Sequence, residues 1–493
     1  MNNSSIKVLL LVSVCLSSSN SVIHAQSFDE YKKQIQSDFN HYKSGKEREF
    51  KVYRDRINAE FAEYMRQAWP EYKSKPADPV PDSPEPPKPV IKNPETKPSK
   101  DPLPFGDVIP PLNPIEPVRP SIPLPKLTPP VSRPTFSFSF YGQPCPMYLE
   151  NRHRFSLSGI SEKNIADCWK VLSSDMYLPI VSQCLEYRDG MRLGDWGYFR
   201  FVEQMSTAFF GASHKNEARM LQMYVLVQSG YKVRIARMNN NLVLLIPSEE
   251  TVYAYPYLAI NGQKYYIIDS SAKGQVSINL FERVFPGEQQ FSFTIPQVPD
   301  LPVNPARKKH FQSRFDNKMA ADLNVNKNLI NFYEDYPIVS WELYSQASLS
   351  DHVREQLYPV LEAAIEGKEK ILATNMLLHF VQTAFEYMTD QEQFGYERPF
   401  FADEMFFYPY SDCEDRAILF SILVRELLNL DVVFLHYPGH LATAVCFDTD
   451  VTGDYLSIDG KRYIVCDPTY INADIGQAMP QFKQTRARVV RVR

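Results

Sequence analysis

Three different hydrophobic patterns follow one another along this chain. Near the N-terminus, aromatic pairs recur at a fixed spacing: Phe28/Tyr31, Phe39/Tyr42, Phe50/Tyr53 and Phe61/Tyr64, each eleven positions after the last. Ile35 and Ile57 add to the same face, and Lys46 interrupts it. Eleven positions are close to three helical turns, so the stripe stays nearly in line along one face. The pattern predicts a long amphipathic helix within 26–75, of roughly 45 residues and on the order of 65 Å. Its stripe suits packing on its own domain, self-association with a second copy, or docking to a partner or an envelope surface. Flanking charges of both signs argue against a helix dedicated to anionic lipid.

The period then disappears. Of the chain's 39 prolines, 22 fall between Pro70 and Pro134. Such a density supports neither helix nor interior strand. Residues 76–134 are therefore expected to be a Pro-rich linker, extended, semi-rigid and largely unpacked.

From Thr135 the pattern is that of a folded α+β protein. Residues 135–141 alternate as a strand does, 161–173 and 198–210 read as helices, and 216–228 is a helix followed by Gly230. Strands are expected at 231–236, 242–246 and 265–269. The second half repeats the plan, with helices at 351–364, 370–388 and 413–428 and strands at 431–435, 441–447 and 462–467. His214-Lys-Asn-Glu-Ala-Arg219 aligns with Ser411-Asp-Cys-Glu-Asp-Arg416, and Gly262-Gln-Lys-Tyr-Tyr-Ile-Ile-Asp269 with Gly460-Lys-Arg-Tyr-Ile-Val-Cys-Asp467. The interval from Asn216 to Asp269 equals that from Cys413 to Asp467 to within one position. The chain therefore reads as two copies of one domain type, at 135–302 and 303–493.

Composition adds direction. A net charge of −5 gives no reason to expect nucleic acid as a partner. Residues 1–25 read as a signal peptide: Lys7, an apolar core over 8–16, and Ile23-His24-Ala25 before the expected cleavage. Val14 before Cys15 disfavours a lipoprotein anchor. The protein is thus expected to be exported, whether periplasmic, at the cell surface or secreted, with no transmembrane segment in the mature chain. Six cysteines remain after the leader, too few for so long a chain to depend on a disulfide framework.

The chemistry-bearing residues lie in the second copy. Cys413 opens a helix, where unpaired N–H groups and the helix dipole favour a thiolate. His440 falls midway between Cys413 and Asp467, and both followers lie on or beside strands. A thiolate, a base and a carboxylate that orients the base are the parts needed for thiol chemistry on an acyl group. His436 with His440 does not make a metal motif, because Pro438-Gly439 between them prevents a helical i, i+4 face; no metal and no cofactor are called for. Glu414 and Asp415 oppose a thiolate, and Arg416 and an imidazolium at His440 are the cations that could offset them. Cys466 points away from Asp467 by strand parity and reads as core. In the first copy Asn216 stands where the second has Cys413, and no histidine lies near Leu242.

Asp-Cys-Glu-Asp ahead of an aliphatic helix, Pro-Gly-His-Leu-Ala-Thr-Ala-Val from Pro438, and Tyr-Ile-Val-Cys-Asp-Pro-Thr-Tyr from Tyr463 together resemble the transglutaminase-like superfamily of cysteine enzymes, and within it the exported bacterial branch that includes proteases. The resemblance covers 375–470 well and 135–270 in degenerate form. It implies two papain-like α+β domains in tandem, each with a helix packed on an antiparallel sheet, the first a pseudoenzyme domain. It also implies Cys413 as nucleophile, His440 as general base and Asp467 as its orienter. Tyr408, Tyr410 and Gln393 are the upstream residues from which a further oxyanion donor would come. The expected activity is that of an exported cysteine peptidase or amidase acting on protein or peptide through a thioester. A transamidase uses the same residues, and a non-catalytic binding or scaffold protein of the envelope is the third reading.

Overall fold

The computed structural model describes residues 28–80, 90–93, 97–99, 101–111, 116–124, 134–269 and 271–492. The leader and Cys15 lie outside these residues, as do parts of the proline-rich segment. The protein is mixed α+β. It divides into two compact units, one ending at Tyr53 and the other starting at Arg54. The helix Phe28–Met65 belongs to both. It is shorter than the aromatic pattern suggested. Pro70 cannot continue a helix, and the chain turns into the strand Glu71–Lys73. In the last of the aromatic repeats Phe61 is buried: it packs edge-on against Phe281 and Phe285 and lies 4.9 Å from Trp169.

Two six-stranded sheets dominate the second unit, and their strand orders match. The first runs Glu71–Lys73, Ser277–Phe281, Arg234–Met238, Asn241–Ser248, Gln263–Ile267, Tyr257–Ile260. The second runs Phe105–Ile109, Ala487–Arg491, Asp431–Tyr437, His440–Cys446, Lys461–Cys466, Tyr455–Ile458. Within each sheet the last five strands pair antiparallel. Corresponding hairpins have corresponding turns. Asn261-Gly262 and Asp459-Gly460 both carry positive φ at two successive residues, the geometry of the tight turn that Asn-Gly and Asp-Gly favour. Helix Lys215–Gln228 packs on the first sheet, and helix Cys413–Leu428 packs on the second. One apolar core joins the halves, running from Trp169 and Trp196 through Phe332 to Phe420 and Phe434. Trp196 Nε1 donates to Asp335 O across it.

The proline-rich segment differs from expectation. Instead of an unpacked spacer, its described residues form a strap laced through both sheets. Glu71–Lys73 pairs antiparallel with Ser277–Phe281 at the edge of the first sheet. Ile471 donates its N–H to Val90 O, and Lys92 N–H donates to Ile471 O. Phe105–Ile109 then pairs parallel with Ala487–Arg491 at the edge of the second sheet. The chain returns to the first half, where Val118 O accepts from Arg188 Nη1 and Arg119 O from Gln289 Nε2. Leu103, Val118 and Ile122 are buried. Proline is tolerated at sheet edges, where one side of the strand needs no donor, so density of proline does not forbid packing there. The strap crosses so close over Gly230, which has φ 96°, that any side chain there would strike Arg119 O.

Candidate active site

Cys413 is the first residue of its helix, and its Sγ donates to Glu414 Oε2 at 2.9 Å. His440 starts the strand His440–Cys446, directly across a tight loop from Tyr437. Its Nε2 lies 2.8 Å from Asp467 Oδ2, while its Nδ1 is buried with no hydrogen-bond partner. The Asp467 contact holds the proton on Nε2 and leaves the Nδ1 lone pair as the acceptor. Asp467 is itself fixed: its Oδ1 accepts from Thr469 N at 3.0 Å and Tyr470 N at 3.2 Å, a turn built around Pro468, which has no N–H to offer. Cys413 is 1% exposed and His440 2% exposed, so the arrangement is closed to solvent. Phe482 stacks on the His440 ring at 5.0 Å and on Tyr437 at 4.6 Å. The loop that carries Phe482 is backed by the strap, since Val90 and Phe482 pack on the same Tyr470–Ala473–Met479 cluster.

The matching place in the first half is occupied by amides. The strand Asn241–Ser248 begins with Asn241 opposite Met238, as His440 stands opposite Tyr437. Asn216 bridges the two loop ends around it: its Nδ2 donates to Asn240 O at 3.2 Å and its Oδ1 accepts from Leu242 N at 2.8 Å. Asp269 is retained, but its Oδ1 takes Ser271 N in a local turn. The start of the helix thus faces the tip of the hairpin in this half, with a carboxamide closing the space between them.

Acidic groups crowd the helix start in the second half. Burial and then Asp415 push the Asp390 carboxyl far above the usual carboxylate range. Burial and a hydrogen bond with Glu414 do the same for Glu397. Burial and Glu414 push Asp415 up as well, although it accepts Phe400 N and Asp412 N. Arg416 directs its hydrogen bonds to neutral acceptors, although the charges of Asp412 and Asp415 act on it. It is buried, and donates to Gln382 O, Phe385 O and Ser411 Oγ with its plane near the Tyr387 ring. Burial holds its guanidinium down to about 10.

Gln382 was not singled out by the sequence pattern, yet it ties the parts together. From the helix Lys370–Thr383 its Nε2 reaches the carbonyls of Asp467, Tyr470 and Ala473 at 2.9–3.1 Å, while Arg416 holds its own carbonyl. An amide directly after Phe380-Val381, on a helix rich in apolar residues, was the available signal. Among the upstream tyrosines, Tyr408 is committed, its hydroxyl donating to Glu334. Gln393 Nε2 donates to Tyr410 O. Cys466 is core, opposite Thr443 on the neighbouring strand. His436 packs beside Trp341, 5.9 Å between ring centres. None of the six described cysteines forms a disulfide, and among the described residues no helix is long and apolar enough to cross a membrane.

No family model, curated protein or solved structure matches this chain.

Proposed function

We propose that the protein is an exported cysteine hydrolase, a peptidase or amidase of transglutaminase-like type, with Cys413 as nucleophile, His440 as base and Asp467 as orienter. The observation that carries this reading is the buried His440 ring, which is held by Asp467 through Nε2 and presents an unpartnered Nδ1. A buried nitrogen left unsatisfied costs about 1–3 kcal/mol, a cost that suits a site awaiting a proton. The matching strand order and the Asn216 bridge support the remaining step. They argue that the helix start bearing Cys413 faces the hairpin that begins with His440.

In this mechanism Nδ1 takes the thiol proton and Sγ attacks the acyl carbon. The C–N bond breaks as the imidazolium returns the proton to the leaving amine. Water, deprotonated by the same nitrogen, then cleaves the thioester. The Cys413 backbone N–H is available to the developing oxyanion. Resolution of the thioester by a primary amine would make the same site a transamidase.

The scaffold reading is favoured by the closure of Cys413 and His440. Peptide-library profiling of wild type and Cys413→Ala, with and without a primary amine, distinguishes the readings. Cleavage lost in the variant supports the hydrolase, and amine incorporation supports the transamidase. No turnover, together with no iodoacetamide labelling of Cys413 in the reduced folded protein, sinks both.

A further inference from the structure

The first three aromatic repeats have no role in the proposed chemistry. On the helix Phe28–Met65, Ile35 is 50% exposed, Phe39 58%, Tyr42 65% and Phe50 39%. A helix of this length survives in water chiefly when an apolar face is covered. The charges beside the stripe are sorted by sign. At 100° per residue, Asp38 and Glu49 lie about 60° to one side of it, and Lys32 and Lys43 about 60° to the other. The sorting follows from the aromatic repeat, which places an acid just before the phenylalanine and a base just after the tyrosine.

This sorting selects a partner. When two copies of such a helix face each other in parallel, the acidic edge of each lies against the basic edge of the other. In the antiparallel arrangement acid meets acid and base meets base. We propose that the segment Ile35–Tyr53 is a self-association element, pairing in parallel with the same segment of a second copy. Asp38 then lies beside the partner's Lys43, and the reverse. Lys46, the one charge within the stripe, carries its own counter-ion, since its Nζ is 2.7 Å from Glu49 Oε2. A repeat of eleven implies a nearly straight pair with a slight right-handed twist, in contrast to the left-handed coil of a repeat of seven.

The test uses the full mature chain at tens of micromolar in sedimentation velocity. Wild type is expected to be a dimer whose dissociation constant rises with salt. Lys32→Glu with Lys43→Glu, and separately Asp38→Lys with Glu49→Lys, should each weaken self-association by about tenfold or more. Mixing the two variants should restore a dimer. Phe50→Cys should form a same-site disulfide on oxidation, because in an antiparallel pair centred on this segment the two positions would lie on the order of 20 Å apart. Helix content by circular dichroism keeps a folding failure distinct from loss of pairing. A monomeric wild type, a dimer indifferent to both charge swaps, absence of the disulfide, or binding to anionic vesicles without self-association each overturns the proposal.

Discussion

The two halves carry the same sheet order and the same helix-to-hairpin arrangement, yet they treat the space between helix and hairpin in opposite ways. In the first, Asn216 satisfies the backbone of residues 240 and 242 with both ends of its carboxamide. In the second, Cys413 stands at the helix start and His440 at the start of the hairpin's second strand, with His440 Nδ1 buried and without a hydrogen-bond partner. The first arrangement maximises hydrogen bonding and leaves nothing reactive. The second leaves a buried nitrogen unsatisfied, which the surrounding packing must tolerate. On the proposed reading, two side chains separate a structural joint from a reactive one, since the carboxylate is present in both halves.

The largest expected effect is on turnover. Cys413→Ala should lower it by about 10⁶-fold for any substrate found by profiling, while the melting temperature barely moves. Next comes Asp467→Asn, expected to cost about 10⁴-fold, as when a carboxylate that sets a catalytic tautomer is lost. An amide there can still accept from Thr469 N, but it presents N–H to His440 Nε2 and moves the ring proton to Nδ1. Steady-state kinetics checks both. If Asp467→Asn were as active as wild type, the two halves would not differ in the way described.

A smaller effect concerns access. Phe482→Ala should speed iodoacetamide labelling of Cys413 severalfold by uncovering the His440 face, read by mass spectrometry of the reduced protein. In the first half the sign of interest is stability. Asn216→Ala leaves Leu242 N–H and Asn240 O without their partner and should destabilise by about 1–3 kcal/mol in urea unfolding, with catalysis otherwise intact. The smallest effect distinguishes the halves by pH. Asp415, Asp390 and Glu397 are pushed up to about 7, 9 and 10, each first by burial. They bind protons more tightly folded than unfolded. Their contribution to stability is therefore fully present below the ordinary carboxylate range and is lost as pH rises through these values. The melting temperature should fall by a few degrees between pH 5 and pH 9, and Glu397→Gln should flatten that dependence.

Much of this was legible in the sequence. The helices and central strands follow from periodicity, and the duplication from the repeated Gly-x-x-Tyr run before Asp269 and Asp467. Cys413, His440 and Asp467 stood out by residue type and spacing, and the structure joins His440 to Asp467 directly. The outer strands were not legible. Phe105–Ile109 is short, lies among prolines and finds its partner near the other end of the chain, so no local pattern announces it. Phe482 was missed for a related reason: an aromatic in the three-residue 3-10 turn Pro480–Phe482 has no period, and its importance comes from what it covers. The sign of Arg416's influence depended on direction, and its side chain turns toward carbonyls of the neighbouring helix.

The strap also sets an order of events. Phe105–Ile109 is made long before its neighbour Ala487–Arg491. The sheet that carries His440 thus cannot be completed at that edge until Ala487–Arg491 has been made. Such distant pairing closes a long loop and folds slowly. Removal of Ala487–Arg491 should therefore leave that edge of the sheet unfinished and Phe105–Ile109 without its neighbour.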